Sequence, residues 1–579
     1  MKPLLPLMLL LLVALGQCLS NSPVCDLCQH EVKSALGPVL LGNATLELLT
    51  DAAVALCDAL HLRLVDHTVC EGIVREFRGE FVGVLSRTYL SPQSLCAYAS
   101  LCSTPWTPPP RNWTVPVPGN KPPLPPPSVP SSSWARMLFA HFTDLHYDPE
   151  YRAGLSAECG QPLCCRPPAA VATEPSEAAG YWGDPRCDTP LRTVESALED
   201  AFSRNLSFVL WTGDSPPHNI WNQSRQDQIN TVQQSAALLR SNLPGVRVFP
   251  CLGNHESAPV NSFPPSSLGG SPSSASSNQW LLDAIADAWA SWLPTSAQET
   301  LRRGGFYTAH VQDNLHVVAL NLNYGMYGNW WLLINDTDPA DQLHWLAETL
   351  LDLETRGQQV LLIGHQPPND PNPAFSWALY DLVNRFESTI VAQFYGHTHT
   401  DSFRIFFDSV TPTIDGSLPR ATNVAYVSPS ITPYTLMNPG YRVFELATNH
   451  STSLLTESFT YVLDLELANR AGTPQPPAWQ LEYAAMSAYS LPDLSPASWA
   501  NLTERMRNDD QLFQQFYSYY RKSFAGASAC VGSCQRSMIC ELREARSNDT
   551  TFCVSDTSAD LTTTYEDLLA FRALHETSC

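Results

Sequence analysis

Positive charge is scarce in this sequence of 579 residues, which has 33 lysines and arginines against 56 aspartates and glutamates and a net charge of −23. This balance argues against a nucleic-acid backbone as the main partner, because the phosphates would be repelled by the protein's own field. It suits an acidic compartment, where protonation of carboxylates and histidines relieves the self-repulsion.

Long apolar runs are absent beyond the first twenty residues, so no later segment reaches the ~18 apolar residues of a membrane-spanning helix. The run Leu4–Leu15 is too short for such a span, and it lies between Lys2 and the small-residue stretch Gly16–Ser20. These features predict a signal peptide over residues 1–20 and a soluble, lumenal or extracellular protein without a transmembrane segment. Eight glycosylation sequons agree with that route: Asn43, Asn112, Asn205, Asn222, Asn335, Asn449, Asn501 and Asn548.

Repeats at solenoid periods are also absent, and the composition is not that of a disordered chain. Hydrophobic residues make up 44% and aromatic residues 10% of the sequence, which is enough for a packed core. The length predicts roughly three or four structural units.

Cysteines, in contrast, are present in clusters that divide the chain. Cys18 is removed with the signal peptide, and the others are expected to meet an oxidising compartment. The first cluster consists of Cys25, Cys28, Cys57, Cys70, Cys96 and Cys102. Its Cys25-x-x-Cys28 motif could ligate zinc, although a secreted chain normally oxidises such thiols. Apolar residues at three- and four-residue steps, as in 69–81, predict helices. This part is either the core of a small disulfide-bonded bundle or a surface that handles lipid, and its six cysteines allow about fifteen pairings.

The first cluster resembles a saposin B-type domain, with a CxxC motif, two central cysteines and two near its end. The resemblance places this domain at residues 21–104 and implies amphipathic helices that can open onto membranes. It also implies three disulfides: Cys25–Cys102, Cys28–Cys96 and Cys57–Cys70. Residues 105–134 follow, and the twelve prolines from Pro105 to Pro130 predict an extended, semi-stiff linker that acts as a spacer.

From residue 136 onward, five short apolar runs each end in residues that bind metals. Such runs bounded by glycine predict buried strands, and ligands at strand ends converge on one rim of a sheet. One such fragment is a weak signal, whereas five in sequence are a strong one. The runs and their ligands are Met137–Thr143 before Asp144 and His146, Phe208–Thr212 before Asp214, Val246–Leu252 before Asn254, Val360–Ile363 before His365, and Ala392–Tyr395 before His397 and His399.

The series DxH, GD, GNHE, GH and GHTH resembles the calcineurin-like metallophosphoesterase family over residues 136–400. This resemblance implies an α/β fold, a β-sandwich flanked by helices. It also implies a two-metal site, in which a hydroxide that bridges the ions attacks phosphorus in line. Nitrogen-rich ligation suits two Zn²⁺, although Mn²⁺ or Fe are alternatives. By resemblance, Asp144, His146 and His399 hold the first ion, Asn254, His365 and His397 hold the second, and Asp214 lies between them.

Two further histidines lie close to these ligands in sequence without fitting as ligands. We predict that His255, directly after Asn254, is the general acid for the leaving alkoxide. We predict that His218, after Asp214, donates to the developing phosphorane oxygens. The alternative is that both histidines have only packing or surface roles. His141 and His316 alternate within strands and are predicted to be buried structural residues.

Several stretches match a narrower group, the acid sphingomyelinase family, among them DLHYDPEY, YWGDPRCD, TGDSPPHNIW, GNHESAPVNSFPP and NPGYRVF. The resemblance implies hydrolysis of sphingomyelin to ceramide and phosphocholine at membranes, favoured by anionic lipid, by a monomer in the lysosome or outside the cell. It implies a catalytic domain at 135–475 and a helical C-terminal domain at 476–579 that packs onto it and leaves Cys579 free. The implied disulfides there are Cys159–Cys164, Cys165–Cys187, Cys530–Cys534 and Cys540–Cys553.

The sequence departs from that family in three places. No cysteines occur around Asn323–Tyr327 or Pro367–Pro373, so a disulfide across the active-site rim is missing and loop rigidity is expected to differ. Cys251 is additional and is interpreted as a buried free thiol. Asn219 follows His218 where an acidic residue is expected.

Two alternative functions remain open from the sequence. One is a diesterase for soluble nucleotides or for other phospholipids with the same metal core. The other is a lipid-binding or lipid-transfer protein in which the saposin-like segment carries the function and the catalytic core is idle, although the intact ligand set argues against it.

Overall fold

The structure is a computed structural model that describes residues 66–85 and a few others between 47 and 94, residues 113–124 without 118, and residues 129–553 apart from 269–273, 275, 410, 412–416, 450 and 471–475. Several predictions therefore lie outside the described residues. They are the signal peptide, the three disulfides of the saposin-like segment, the sequons at Asn43 and Asn112, and the state of Cys579.

Two six-stranded sheets form the centre of the described chain, in the strand orders β12-β11-β10-β1-β2-β3 and β4-β5-β6-β7-β9-β8. The strands are β1 (Ala135–Phe142), β2 (Phe208–Trp211), β3 (Arg247–Pro250), β4 (Tyr307–Gln312), β5 (Leu315–Ala319), β6 (Gln359–Ile363), β7 (Ile390–Tyr395), β8 (Ser402–Phe407), β9 (Ala421–Val427), β10 (Gly440–Thr448), β11 (Ser453–Val462) and β12 (Gln480–Ala484).

The described helices surround these sheets. They are α1 (His67–Leu85), α2 (Leu191–Phe202), α3 (Arg225–Asn242), α4 (Gln279–Ala288), α5 (Gln298–Gly304), α6 (Gln342–Thr355), α7 (Pro373–Arg385), α8 (Leu465–Arg470), α9 (Ala485–Tyr489), α10 (Pro496–Asn508), α11 (Asp510–Tyr520) and α12 (Ser533–Leu542). Within the described residues, none of these helices is long and apolar enough to cross a membrane.

Aromatic residues fill the space between the two facing sheets. Phe139 of β1 stacks on Phe208 of β2 and on Phe444 of β10, with ring centroids 4.7 and 5.3 Å apart. It also meets Phe394 of β7, in the other sheet, edge to face at 5.5 Å. Fully buried aromatic pairs of this kind stabilise a sandwich through both their area and their ring geometry. The predicted α/β sandwich with flanking helices is confirmed.

Parallel pairing places the predicted ligands at one end of both sheets. Strands β1, β2 and β3 are mutually parallel in one sheet, and β5, β6, β7 and β9 are parallel in the other. The five apolar runs expected to be strands correspond to β1, β2, β3, β6 and β7, and the ligand motifs follow their carboxyl ends. Side chains that follow such ends converge, as in other α/β sheets.

The C-terminal helices pack on the second sheet. Trp499 of α10 contacts Phe403 at 4.6 Å between ring centroids, and its indole nitrogen donates to the Tyr426 hydroxyl at 3.0 Å. The predicted boundary at residue 475 needs correction, because β12 pairs with β11 and continues the first sheet to residue 484. The boundary at 475 was implied by the resemblance, whereas strand pairing decides where the first sheet ends.

Part of the proline-rich linker lies on the catalytic domain. Val115 is buried in the cluster of apolar side chains that includes Leu346 and Leu382, and the Lys121 ammonium pairs with Glu387 at 2.9 Å. Residues 113–117 and 119–124 form neither helix nor strand, and these contacts attach them to the surface, so they are not a free spacer at this point.

Disulfides and sequons are distributed around this core. The disulfides in the described residues are Cys159–Cys164, Cys165–Cys187, Cys530–Cys534 and Cys540–Cys553, which are the pairs implied by the resemblance. Cys251 is a buried free thiol.

The sequon asparagines Asn205, Asn222, Asn335, Asn501 and Asn548 are exposed and Asn449 is half-buried, so each of the five exposed side chains is accessible to modification.

Candidate metal centre

Two groups of predicted ligands lie at the carboxyl ends of the strands and share one carboxylate. The ligand atoms of Asp144, His146 and Asp214 all lie within 4.8 Å of one another. Those of Asp214, His365 and His397 do the same. Asp214 therefore occupies the shared position expected of a bridging ligand, and most of the set is buried.

Three of the histidines are oriented by backbone carbonyls. A carbonyl can only accept, so each Nδ1 carries a proton and each Nε2 is left as the nitrogen that can ligate a metal, which is the arrangement of a metal-ligating imidazole. The contacts are His146 Nδ1 to Pro216 O at 2.7 Å, His365 Nδ1 to Thr212 O at 2.6 Å, and His399 Nδ1 to Tyr434 O at 2.7 Å.

The Nε2 atoms of these histidines lie close to nitrogen and oxygen atoms of the other predicted ligands. His399 Nε2 lies 3.2 Å from His146 Nε2, and His365 Nε2 lies 3.0 Å from both Asn254 Oδ1 and Asp214 Oδ2. Burial disfavours a charged His365, but the carboxylates of Asp214 and Asp144 raise its pKa to about 9. A cluster of acceptors that stabilises positive charge at this point fits divalent cations.

The backbone of the ligand residues is unusual. A left-handed φ is uncommon outside glycine and is concentrated at functional sites. It is found at Asp144 (51°), His146 (37°), Asp214 (55°), His397 (71°) and His399 (60°). The loops therefore hold their side chains in conformations that the chain does not favour locally.

Glu256 ties two ligand loops together, a role that the sequence motif did not reveal. Its carboxylate accepts from the backbone N–H groups of Gly253 at 2.7 Å, Asp214 at 3.1 Å and Ser215 at 2.8 Å. The loops approach so closely that a Cβ on Gly253 would lie 2.1 Å from Asp214 Oδ1. Only glycine fits there, which explains the glycine before Asn254.

His218 has an acidic partner, although its sequence neighbour Asn219 is neutral. Asp188 accepts from the His218 backbone N–H at 2.6 Å and contacts its Nδ1 at 2.7 Å. Nε2 of His218 is buried without a hydrogen-bond partner in the described residues. The ring lies 3.9 Å from that of His146, between centroids, so His218 is placed beside the candidate metal ligands. Because Asp188 is distant in sequence, no local signal could have identified it.

We expect Asp188→Asn to reduce kcat by about tenfold to a hundredfold, the usual cost of losing a residue that orients an active-site imidazole. Asparagine cannot accept from both the backbone N–H and Nδ1–H of His218. Steady-state kinetics on a lipid and on a p-nitrophenyl diester should show equal losses. An unchanged kcat on both substrates would mean that Asp188 has no role in orienting His218.

His255 lies beside both His146 and His218. Its backbone N–H donates to Asp214 Oδ1 at 2.9 Å, and its ring centroid lies 4.9 Å from His146 and 4.7 Å from His218. Burial lowers the pKa of His255 to about 3, although the Asp214 carboxylate opposes this shift. The imidazole is therefore neutral above that pH unless another negative charge approaches it.

The other histidines of the sequence analysis lie apart from the ligands. His141 is buried on β1, where Nε2 contacts the Thr212 hydroxyl at 2.9 Å. His316 on β5 is only half-buried and contacts the Gln358 side chain at 3.2 Å, so the predicted full burial is wrong for this residue. It lies near the opposite end of β5 from the ligand loops and faces partly outward.

The rim that lacks the family's disulfide is joined by hydrogen bonds. The backbone N–H and the side-chain amide of Asn372 both donate to Gly325 O, at 2.7 and 3.0 Å. Met326 and Pro371 form an isolated β-bridge beside them. The two segments expected to differ in rigidity are therefore still connected.

Lys522, in the C-terminal region, supports the segment that contacts Asp144 of the candidate metal centre. Its buried ammonium donates to Ser430 O, Ser430 Oγ and Thr432 O, at 3.2, 2.6 and 3.2 Å. The Thr432 N–H in turn donates to Asp144 O at 3.0 Å. Three acceptors satisfy the three donors of this buried group. No pattern in the sequence indicated this contact.

Comparison with known proteins agrees with this geometry. Residues 137–401 match the family described as calcineurin-like phosphoesterase, and residues 420–559 match the acid sphingomyelin phosphodiesterase C-terminal region. Sphingomyelin phosphodiesterase of Homo sapiens is 40% identical over 519 residues, which cover 86% of this chain and 78% of that protein.

More distant relatives extend the comparison. Sphingomyelin phosphodiesterase B of Dictyostelium discoideum is 35% identical over 536 residues, covering 91% of this chain and 81% of that protein. Cyclic GMP-AMP phosphodiesterase SMPDL3A of Homo sapiens is 31% identical over 427 residues, covering 70% and 87%. The chain belongs to the sphingomyelin phosphodiesterase family of calcineurin-like phosphoesterases.

Proposed function

We propose that this protein is a zinc-dependent phosphodiesterase that hydrolyses sphingomyelin to ceramide and phosphocholine at membrane surfaces. The observation that carries the proposal is the pair of ligand groups that share Asp214, in a chain 40% identical to human sphingomyelin phosphodiesterase. Asp144, His146 and His399 would hold one ion, and Asn254, His365 and His397 the other. Nitrogen-rich donors with carboxylate support favour Zn²⁺.

The chemistry expected of two bound zinc ions is neutralisation of phosphate charge and activation of water. The protein's own residues must then orient the substrate and move protons. His218, whose Nδ1–H is oriented by Asp188, has an unpartnered Nε2 that can donate to a phosphoryl oxygen when the ring carries both protons. This donor would stabilise the charge that develops there in the transition state.

His255 would protonate the leaving alkoxide of ceramide. Its low pKa in the free protein means that the proton must be supported by the substrate. A bound phosphodiester carries a negative charge, and a nearby negative charge raises the pKa of an imidazole. Substrate binding would therefore favour protonation of His255, and this proton would then be transferred to the leaving group.

Membrane location and assembly complete the proposal. We infer a monomer that acts in lysosomes or outside the cell, with glycans on the exposed sequons. Its saposin-like segment would contact lipid, and anionic lipid at low pH would help because protonation reduces the repulsion from the net charge of −23.

Metal content and lipid products of the purified protein test this function. Elemental analysis should find close to two zinc ions per chain, and sphingomyelin liposomes should yield ceramide and phosphocholine by mass spectrometry. A nucleotide diester serves as the comparison substrate, since one relative is a cyclic GMP-AMP phosphodiesterase. Faster turnover of that diester would favour the nucleotide alternative, and lipid binding without any turnover would favour a lipid-transfer protein.

Deleting residues 21–104 should reduce activity on sphingomyelin in liposomes much more than activity on a soluble diester. A lipid in a bilayer must reach the metal site, and a tethered membrane contact raises the local concentration of the enzyme at the surface. Initial rates on both substrates provide the measurement, and detergent should restore part of the lipid activity. Equal proportional losses in a folded truncated protein would instead make the segment a structural brace.

A further inference from the structure

Helix α1 of the saposin-like segment lies on the catalytic domain. Phe77 and Phe81 contact Trp330, with ring centroids 5.6 and 6.4 Å apart. Hydrogen bonds flank the helix at both ends. Gln161 Nε2 donates to Asp66 Oδ2 at 2.6 Å, and Thr88 Oγ1 donates to Leu333 O at 2.7 Å.

Two glycines inside α1 permit this close approach. A Cβ on Gly72 would lie 2.0 Å from the backbone oxygen of Trp221, and a Cβ on Gly83 would lie 2.9 Å from the indole ring of Trp331. Glycine within a helix is less favourable than alanine. The surface that α1 presents to the catalytic domain is therefore shaped for this contact and not for an isolated helix.

A carboxyl group is buried in this interface. Glu80 of α1 is only 2% exposed, and its Oε1 has no hydrogen-bond partner within the described residues. Burial raises the pKa of Glu80 to about 8, although a hydrogen bond with the Ser262 hydroxyl lowers this pKa in part. Within the part of the chain that the structure describes, no cation pairs with this carboxyl, and a buried carboxyl without such a partner is stable only as the neutral acid.

Glu76 lies one turn earlier on the same helix. Burial raises its pKa to about 7, while Arg225 lowers it and Asp227 raises it. Both of these charged groups belong to the first turn of α3. The arginines of α1 have other partners, because Arg75 pairs with Glu71 and Asp51 and Arg78 pairs with Glu47.

Ser262, the hydrogen-bond partner of Glu80, belongs to the loop that starts at the predicted metal ligand Asn254. Ser262 Oγ accepts from the Trp331 indole N–H at 3.0 Å. Ser262 O accepts from the Ser257 hydroxyl at 2.6 Å, and the Asn261 N–H donates to Asn254 O at 3.2 Å. One loop, residues 254–263, therefore carries Asn254 and His255 at its beginning and contacts the Glu80 carboxyl near its end.

We propose that Glu80, as the neutral acid, is a positioning residue that holds α1 on the loop 254–263, so that docking of this helix requires proton uptake. Glu76 adds to the same dependence. Where the proposal concerns activity it rests on the proposed function, because the docked helix supports the loop that carries Asn254 and His255.

The direction of the pH dependence follows from linkage. In an undocked helix Glu80 would have its ordinary pKa of 4.5, whereas the docked group has a pKa of about 8. Docking is therefore fully favoured below about 4.5 and weakens as the pH rises to about 8, by up to about tenfold per pH unit for this carboxyl. Glu76 steepens the decrease up to a pH of about 7.

Glu80→Gln in the full chain tests the proposal, because glutamine has the shape of the neutral acid and cannot ionise. Hydrogen exchange of peptides from 67–85, corrected for intrinsic rates, is measured at pH 5 and pH 7.5. We expect wild-type protection to fall by at least about tenfold between these values, and protection in the Gln variant to fall much less. Identical pH dependence in both proteins, or flat protection in the wild type, would overturn the proposal.

Two matched variants control the measurement. Glu71→Gln removes the same charge from the same helix, but this carboxylate is 41% exposed and pairs with Arg75, so the wild-type pH dependence should persist. Gly72→Ala introduces a Cβ against the Trp221 backbone without changing any charge, and it should lower protection at both pH values. Protection that the alanine variant leaves intact would show that α1 does not dock as described, which would also overturn the proposal.

Activity provides the second readout. With a soluble diester, Glu80→Gln should extend kcat/KM to higher pH, whereas a purely structural carboxyl would lower it at every pH. Release of no phosphocholine from sphingomyelin by a protein with the expected exchange pattern would contradict the proposed function alone. Hydrolysis combined with pH-independent protection would overturn the docking proposal alone.

Discussion

Asp214→Ala is expected to lower hydrolysis of sphingomyelin by about three orders of magnitude or more, since metal-ion stabilisation contributes several kcal/mol. Asp214 belongs to both ligand groups, so its loss weakens both candidate sites at once. Its carboxylate also accepts the His255 N–H. Zinc content by elemental analysis should fall from about two per chain together with the activity.

Secretion of the Asp214 variant should be largely preserved, because the ligands lie at the rim of the sheets and not in the aromatic core. His397→Ala should give a similar loss from the half-buried edge of the site. Asp352→Ala, which removes a carboxylate 63% exposed on α6, is the matched control and should retain activity and zinc. Full activity in a metal-free preparation would contradict the metal-dependent mechanism.

His255→Ala is expected to slow release of the lipid alkoxide by about a hundredfold or more, in line with the size of general-acid catalysis. Alkoxides are poor leaving groups, so protonation matters more for them than for a p-nitrophenolate. The same variant should therefore lose much less activity on a p-nitrophenyl diester. Single-turnover rates on both substrates give the comparison.

His218→Ala provides the contrast, because both substrates develop charge on the same phosphoryl oxygens. It should slow the two reactions by similar factors. His310→Ala, which removes an exposed imidazole on β4, should change neither rate. Equal losses on both substrates in the His255 variant would show that His255 positions the phosphate and does not protonate the leaving group.

Much of the architecture follows from local patterns in the sequence. Short apolar runs such as Phe208–Thr212 predict strands because four or five consecutive apolar residues must be covered on both faces. Ligands directly after such runs lie at strand ends, so the approximate position of the metal centre could be predicted without coordinates. The boundary at 475 could not, because β12 is defined by its pairing with β11 and its five residues carry no strong local signal.

The residue types and spacings indicated buried strands with metal-binding residues at their ends, whereas the sandwich and the assignment of the ligands were implied by the family resemblance, and the roles of His218 and His255 stay predictions. Tertiary structure alone decided which groups support them. Asp188 reaches His218, Lys522 reaches Ser430 and Thr432, and Glu80 reaches Ser262 across separations of 30 to 182 residues. A hydrogen bond depends on distance and angle in space, and the cost of a buried charge depends on surrounding solvent, so neither is encoded in neighbouring residues.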